Sequence, residues 1–402
     1  MKILFFTTRS AYYSKTFGGA ESSIRLMAEM LSQEECEVVY LTFDSRGSFF
    51  PRLEQNVLNG VTVFSFRFIP FNSKIKKSDR INNLFLWFFL KKIIKKLKIN
   101  VSYTYYDNVA LSLLLRAKRK FSVSVIMRMA GLRWYEEVLQ QPEKKQFYED
   151  LFNAVDSLNF ISEGLRRLCW QRASEQDMIL MPPDEFVLEI GAPLFDADSV
   201  WKGSGRPGFL QAVTATRFSA YQKRQDLLVY AVALLRDQGK VSAKNFNLLM
   251  VGEGSERERI QQIVNEYKLD DLITIKPFLP QIELWKCLKT ADLLCHPCEY
   301  EGLGKIIVES MMMGMPVLVS RVPPLDDLIQ EETTGFLVEN TPEDWATELF
   351  RHLRTDDDRK KVSRPAQEYA RRYYDPRHNA RCYVQEFQRI RDASPATSVT
   401  RK

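Results

Sequence analysis

Glycine and proline are sparse, 17 positions each of 402, and that scarcity excludes collagen-like, linker-rich and disordered chains. Cysteine is rarer still. Cys36, Cys169, Cys287, Cys295, Cys298 and Cys382 are scattered, make no disulfide framework, and read as reduced apolar fillers of a cytoplasmic protein. Cys295 and Cys298 form a lone Cys-x-x-Cys, and the only histidines are His296, His352 and His378, so neither structural zinc nor any other metal is expected. No excess of one charge dominates: 57 lysines and arginines against 51 acids leave +6. That modest excess is compatible with phosphates or an anionic membrane surface and demands neither, and no nucleic-acid partner is expected. No apolar run, Leu84 to Leu90 included, approaches the ~18 residues needed to cross a bilayer. Ile3 to Phe6 are too few for the ~7 to 15-residue apolar core of a signal peptide and read as a first strand.

What is present is a two-domain α/β pattern. The length is two to three times the usual ~150 residues of a domain, and short apolar runs alternate with helix-period segments, the signature of βα units in parallel sheets. Strands are predicted at Lys2–Phe6, Glu37–Phe43, Val101–Tyr105 and Ser122–Met127, with a helix over Ala20–Leu31. A stretch from about Ile190 to Arg206, with Gly191, Pro193, Gly203 and Gly205, reads as a hinge. The pattern restarts with strands at Phe209–Ala215, Phe246–Val251, Leu272–Ile275, Leu293–His296 and Pro316–Ser320. The expected domains are residues 1–200 and 201–375, followed by a helix at 376–402 that packs back on the first domain and ends in a frayed tail after Ala393.

Open α/β sheets bind ligands beyond the carboxyl ends of their strands, so chemistry is sought in those loops. The richest is Cys298-Glu299-Tyr300-Glu301-Gly302-Leu303-Gly304-Lys305. Its glycines admit a ligand to the backbone, and the helix they open turns unpaired amides and a positive dipole end toward an anion. Glu301 and, eight residues on, Glu309 offer carboxylates to paired hydroxyls on either side of such an anion. A nucleotide sugar has that layout, although such a turn alone is also an ordinary helix start with surface glutamates. Arg217 and Lys223 follow the first strand of the second domain and can neutralise a diphosphate without a metal, or simply form a solvated basic turn. Gly252 and Gly254 in Val251-Gly252-Glu253-Gly254-Ser255, and Gly18-Gly19-Ala20-Glu21, follow strands and open helices in the same way.

The combination resembles the GT-B fold glycosyltransferases, most of all family 4 of the retaining, nucleotide-sugar-dependent enzymes. It rests on Gly18-Gly19-Ala20-Glu21, Ile161-Ser162-Glu163, Arg217 with Lys223, Val251-Gly252-Glu253-Gly254, Glu301-Gly302-Leu303-Gly304-Lys305-Ile306-Ile307-Val308-Glu309, Gly314-Met315-Pro316-Val317 and Gly335-Phe336-Leu337-Val338. The resemblance implies two Rossmann-like domains facing across a cleft, the first for the acceptor and the second for the donor. It implies that Arg217 and Lys223 hold the donor diphosphate, that Glu301 contacts the transferred sugar, and that Glu309 binds the ribose. Leu303 and Gly304 would lend amides to the phosphates, and Gly19 would close the cleft. A metal-independent retaining transferase follows, taking a UDP- or GDP-linked sugar to a glycan or lipid-linked hydroxyl in cell-surface polysaccharide or glycolipid synthesis. Three departures stand out: Ala130 occupies the place of a family histidine, Cys298 that of a serine, and Pro323-Pro324 that of a glycine pair. The missing histidine keeps open a GT-B-like binding protein without catalysis, and a sugar phosphorylase or epimerase on the same fold is a further alternative. Asp196-Ala197-Asp198 lies in the hinge and is a poor metal motif there.

Leu86, Leu90, Ile93, Ile94 and Leu97 recur at helical spacing beside Trp87 and the lysines Lys91, Lys92, Lys95 and Lys96. This basic amphipathic helix either packs on the first sheet with its lysines reaching solvent, or places the protein peripherally on the inner face of an anionic membrane.

Overall fold

A computed structural model describes residues 1–14, 18–68, 76–182, 184–195, 200–219 and 222–393, with backbone alone for 76–80. Asp196, Asp198 and the tail after Ala393 lie outside the described residues. The chain divides into two compact units: Met1–Ile190 together with the helix Pro376–Ala393, and Gly191–Asp375. The change of unit thus falls before the boundary expected at 200/201. Gly191, at φ +95°, is where the chain presses on the second unit's own backbone: a Cβ there would stand 2.0 Å from the Tyr374 carbonyl oxygen. The Ala192 N–H donates to that carbonyl at 3.3 Å.

The first unit contains β1 (Lys2–Phe6), β2 (Glu37–Asp44), β3 (Arg52–Leu58), β4 (Val61–Arg67), β5 (Val101–Tyr105), β6 (Ser124–Met129), β7 (Ser157–Phe160) and β8 (Glu185–Val187). They form an eight-stranded sheet in the order β3-β4-β2-β1-β5-β6-β7-β8, parallel except for β3 against β4. Ile3, Leu4, Phe5 and Phe6 are wholly buried, because a central parallel strand is covered on both faces and has no solvent side to spend polar residues on. The β3–β4 hairpin escaped the sequence reading although its turn is Asn59-Gly60, both at positive φ, 49° and 81°. That dipeptide is a strong hairpin signal, here masked by the poorly alternating, largely exposed β3. The helix Pro376–Ala393 joins this unit's core through Tyr383, Phe387 and Ile390, which pack with Ile3, Phe5 and Tyr103. It is pinned by polar bonds as well: Tyr383 Oη donates to the Leu188 carbonyl at 2.6 Å and Asn379 Nδ2 to the Glu189 carbonyl at 2.7 Å.

The second unit contains β9 (Leu210–Ala215), β10 (Phe246–Val251), β11 (Ile273–Lys276), β12 (Leu293–His296), β13 (Val317–Ser320) and β14 (Phe336–Val338). Its order is β11-β10-β9-β12-β13-β14, with every pairing parallel. From β9 the chain steps outward through β10 and β11, then returns to place β12 on the other side of β9. Strand order therefore reverses between β9 and β12, the topological switch point where loops diverge and open α/β sheets accept ligands. The first unit has its own switch point between β1 and β5. The α/β class and two doubly wound sheets expected from the sequence are what the chain builds.

Candidate functional site

At the second unit's switch point the loops after β9 and β12 are tied together. Lys223 forms an isolated antiparallel bridge with Cys298, and the Glu299 N–H donates to the Gln222 carbonyl at 2.9 Å. That backbone tie brings side chains 78 positions apart into contact: Lys223 Nζ donates to Glu301 Oε2. Both side chains are largely buried, at 9% and 13% exposure. His296, the last residue of β12, reaches the same point, its Nε2 2.9 Å from Glu301 Oε2 and 3.1 Å from Lys223 Nζ. The third donor to Glu301 is local, the Gly302 N–H to Oε1 at 3.0 Å. Burial alone would raise the Glu301 carboxyl, but the Lys223 ammonium and the His296 hydrogen bond hold it well below the usual carboxylate range. Burial and the same ammonium push His296 down, so its ring is neutral.

Sequence reasoning named Lys223 and Glu301 but did not place His296 here. The available signal was its position, ending a strand five residues before Glu301, at the sheet edge where ligand-binding side chains emerge. With Cys298 and Glu301, His296 also makes a group whose ligand atoms lie within 4.8 Å of one another. The donor types would suit zinc, yet Lys223 already puts a cation against the nitrogen and carboxylate of that set. Burial pushes the Cys298 thiol up to about 12, and its backbone is fixed instead, the N–H donating to Ser320 Oγ and the carbonyl accepting from Asn340 Nδ2, both at 2.9 Å.

Leu303 and Gly304 lead into the helix Lys305–Met313. Gly304 is its N-cap at φ +73°, a left-handed conformation that favours glycine, and a Cβ there would also have to displace the tip of the Ile307 side chain, 2.5 Å away. The first turn is half-buried at Lys305 and Ile306 and buried at Ile307 and Val308, and the Ile307 and Val308 N–H groups close on the Gly304 carbonyl at 2.8 and 3.2 Å, so what the helix start can turn toward a ligand is its positive dipole end and the amides before that turn. Glu309, buried one turn further on, is held from a neighbouring helix: Gln281 Nε2 donates to Oε1 and Trp285 Nε1 to Oε2, each at 3.0 Å. Neither Gln281 nor Trp285 was named from the sequence.

Arg217, just past β9, is exposed, and no hydrogen bond or ion pair of its guanidinium is found among the described residues. Gly252 and Gly254 bring their turn against the protein's own backbone. A Cβ on Gly252 would lie 2.0 Å from the Thr216 carbonyl oxygen, and one on Gly254 2.0 Å from that of Phe218. The glycines let the β10 turn close on the loop that carries Arg217, which the Phe218 N–H secures by donating to the Glu253 carbonyl at 3.0 Å.

In the first unit Gly19 opens the helix Gly19–Leu31 and is exposed, while the Gly18 N–H donates to Glu21 Oε2 at 2.9 Å. Across that unit's switch point Asp107 accepts from the Thr8 N–H and hydroxyl at 2.7 and 2.6 Å. Arg128, beside the Ala130 position, is buried in β6 and donates to Glu189 Oε2 at 2.5 Å.

The basic helix runs Lys76–Leu97 and has two faces. Leu86, Leu90, Ile93 and Ile94 are buried, so the stripe read from the sequence is a core stripe. Trp87 must be corrected as a membrane-surface residue. It is 7% exposed, with the Arg116 guanidinium 4.3 Å over its ring and Phe121 beside it. The opposite face exposes Ile81, Leu84, Phe85 and Phe88, then Lys92, Lys95 and Lys96, with Lys91 half-buried over Phe88. Among the described residues no helix is long and apolar enough to cross a membrane.

Residues 207–369 match the family model described as glycosyl transferases group 1. Among curated relatives, the 2-deoxystreptamine glucosyltransferase of Streptomyces kanamyceticus is 34% identical over 118 residues, 29% of this chain and 30% of that protein. The D-inositol 3-phosphate glycosyltransferase of Paenarthrobacter aurescens is 26% identical over 177 residues, 44% and 43% of the two chains. The matched stretches thus span under half the length of these relatives. Solved structures match nearly end to end. A sucrose-phosphate synthase from Thermosynechococcus elongatus superposes with TM-score 0.79 at 17% identity, covering 98% of this chain and 100% of that one. Anabaena HepE in complex with UDP and glucose gives 0.69 at 15%, covering 97% and 100%. The fold of this chain is GT-B.

Proposed function

We propose that this chain, a GT-B glycosyltransferase by fold and by the group 1 match of its second unit, is a metal-independent retaining enzyme of family 4. It moves a sugar from a UDP- or GDP-linked donor to a hydroxyl of a glycan or lipid-linked acceptor, in cell-surface polysaccharide or glycolipid synthesis. The observation that carries this reading is the meeting of Lys223, Glu301 and the glycine-capped start of the Lys305–Met313 helix at a switch point. Cleaving the anomeric bond builds negative charge on the departing diphosphate, and fixed cations with oriented amides lower the barrier where that charge develops. Lys223, Arg217 and the amides at Leu303 and Gly304 supply them. Glu301 takes hydroxyls of the transferred sugar, and Glu309, oriented by Gln281 and Trp285 with lone pairs to spare, takes those of the ribose. Gly252 and Gly254 serve the donor indirectly by seating the Arg217 loop, and Gly19 belongs to the acceptor unit. The departing phosphate itself accepts the acceptor hydroxyl's proton on the face it leaves.

Incubating the protein with UDP- and GDP-sugars and a panel of glycan and lipid-linked acceptors tests this reading. Transfer without added metal and with the anomeric configuration kept supports it; donor binding with neither transfer nor hydrolysis establishes instead the lapsed binding protein that Ala130 favours. Phosphorolysis or epimerisation without an acceptor would point to the other reactions hosted by the fold.

A cytoplasmic enzyme using lipid-linked acceptors gains from residence on the inner membrane face, and the exposed face of the Lys76–Leu97 helix supports that placement. Leu84 and Phe88 are 67% and 52% exposed beside Lys92 and Lys96, apolar anchors with charges complementary to anionic headgroups. Flotation with phosphatidylglycerol vesicles at low salt is the check, and absence of binding removes this part of the proposal.

A further inference from the structure

Three donors converge on the Glu301 carboxylate, and only one of them is mobile. Gly302 offers a backbone N–H, fixed by the loop. Lys223 is a flexible ammonium on a four-carbon stem. His296 is 1% exposed at the end of β12, and its Nδ1 meets no hydrogen-bond partner among the described residues. Its other nitrogen faces a carboxylate oxygen at 2.9 Å and an ammonium at 3.1 Å. A neutral imidazole carries one proton: on Nδ1 it would meet no acceptor among the described residues, whereas on Nε2 it is donated to the Glu301 carboxylate, and that is the tautomer the inference uses.

The arrangement poses a problem of compensation. If Lys223 is to turn toward a diphosphate, it must leave Glu301, and a buried carboxylate abandoned by its cation is costly unless other donors remain. We infer that His296 is a positioning residue whose Nε2–H keeps Glu301 in place so that Lys223 can be released to the diphosphate of an incoming nucleotide or nucleotide sugar. The inference rests on the nucleotide-sugar reading of this site. His296 touches neither phosphate nor sugar; it acts through the two residues that do. Without it, releasing Lys223 to an anion would leave Glu301 only the Gly302 N–H.

The test is a thermodynamic cycle on nucleotide affinity. Wild type, His296→Gln, His296→Leu, Lys223→Met and the Leu/Met double variant are titrated calorimetrically with UDP, GDP and ADP. Losing a charge-assisted hydrogen bond that eases lysine release is expected to weaken binding roughly tenfold in His296→Leu. The glutamine variant keeps an N–H near the Nε2 position and is expected to stay within about threefold. In the Lys223→Met background there is no ammonium to release, so the leucine change is expected to cost less than about twofold. Equal losses in both backgrounds would mean that His296 only fills space, and undiminished binding by His296→Leu would mean that it does nothing for the lysine; either overturns the inference. A second measurement needs no variant to fold, since it reads the wild-type protein. Nitrogen-15 spectra of its three histidines are expected to show His296 as the Nε2–H tautomer with and without UDP. An Nδ1–H tautomer, with Nε2 accepting from Lys223, contradicts the inference. Should wild type take up none of the three nucleotides, the nucleotide-sugar reading fails and this inference with it, a result distinct from wild type and His296→Leu binding alike.

Discussion

Replacing Lys223 by methionine keeps the stem and deletes the charge opposite Glu301. Removing one partner of a buried ion pair costs about 3–5 kcal/mol, because the other charge is left uncompensated. Here the side chains are 9% and 13% exposed, and His296 and the Gly302 N–H remain as donors to Glu301. The lower end, about 3 kcal/mol at pH 7, is therefore expected for the second unit. The pH dependence has a definite sign. In the wild type the carboxyl is depressed by Lys223 against the effect of burial, so its contribution is present above the unfolded carboxylate range and lost only as pH falls below it. In the variant burial prevails and the carboxyl is raised, so the penalty is largest near neutrality and shrinks as protonation sets in. The stability gap should narrow between about pH 7 and pH 4.5. Urea unfolding followed by circular dichroism and tryptophan fluorescence at several pH values measures it, with a lowered midpoint at unchanged m-value. Lys223→Met/Glu301→Gln, which removes both charges, should recover more than half the loss. A Lys223→Met protein within about 0.5 kcal/mol of wild type at pH 7, the range of inert surface changes, or a double variant that simply adds the two costs, would refute the argument.

Gly254→Ala puts a methyl 2.0 Å from the Phe218 carbonyl oxygen, and the loop carrying Arg217 must move; a loss of roughly 3 kcal/mol is expected, and a thermal melt indistinguishable from wild type would contradict it. His352 is driven down to about 3 by burial and by Arg359. Between about pH 6.5 and 3 the unfolded chain then binds more protons, so folding weakens as pH falls, by about 2 kcal/mol at pH 5; from pH 7 to 5 the stability of wild type relative to His352→Phe, read from denaturant unfolding, should drop by about that amount, and an unchanged difference would contradict it. Tyr383→Phe strips a buried hydroxyl that meets the Leu188 carbonyl and Asn159, and about 1–3 kcal/mol should be lost from the first unit. Hydrogen exchange in the helix Pro376–Ala393 should rise with it; unchanged protection would mean that the aromatic packing alone docks the helix.

Much of this was readable along the chain because it is written in local chemistry. Uninterrupted apolar runs such as Ile3 to Phe6 declare strands covered on both faces. Gly304 before Lys305 declares a helix start that an L-residue would strain, and Asn59-Gly60 declares a hairpin that only the exposed β3 disguised. Other glycines were open to misreading, because sequence shows that the backbone comes close to something without showing to what. At Gly252 and Gly254 the something is the protein's own Thr216 and Phe218. Trp87 misled in the same way: helical periodicity gave two faces, and the packing of Arg116 and Phe121 chose which side of the helix the indole would lie on.

Residue types and short-range spacing thus determined the α/β alternation, the two domains, the glycine-capped turn before Lys305 and the candidates Lys223, Glu301 and Glu309. Tertiary structure alone decided that Lys223 is spent on Glu301, that His296 joins them, and that Gln281 and Trp285 hold Glu309. The reason is the order of strands: β12 lies beside β9 only because the chain returns across the sheet, and no periodicity shorter than that crossover records which carboxylate will meet which cation.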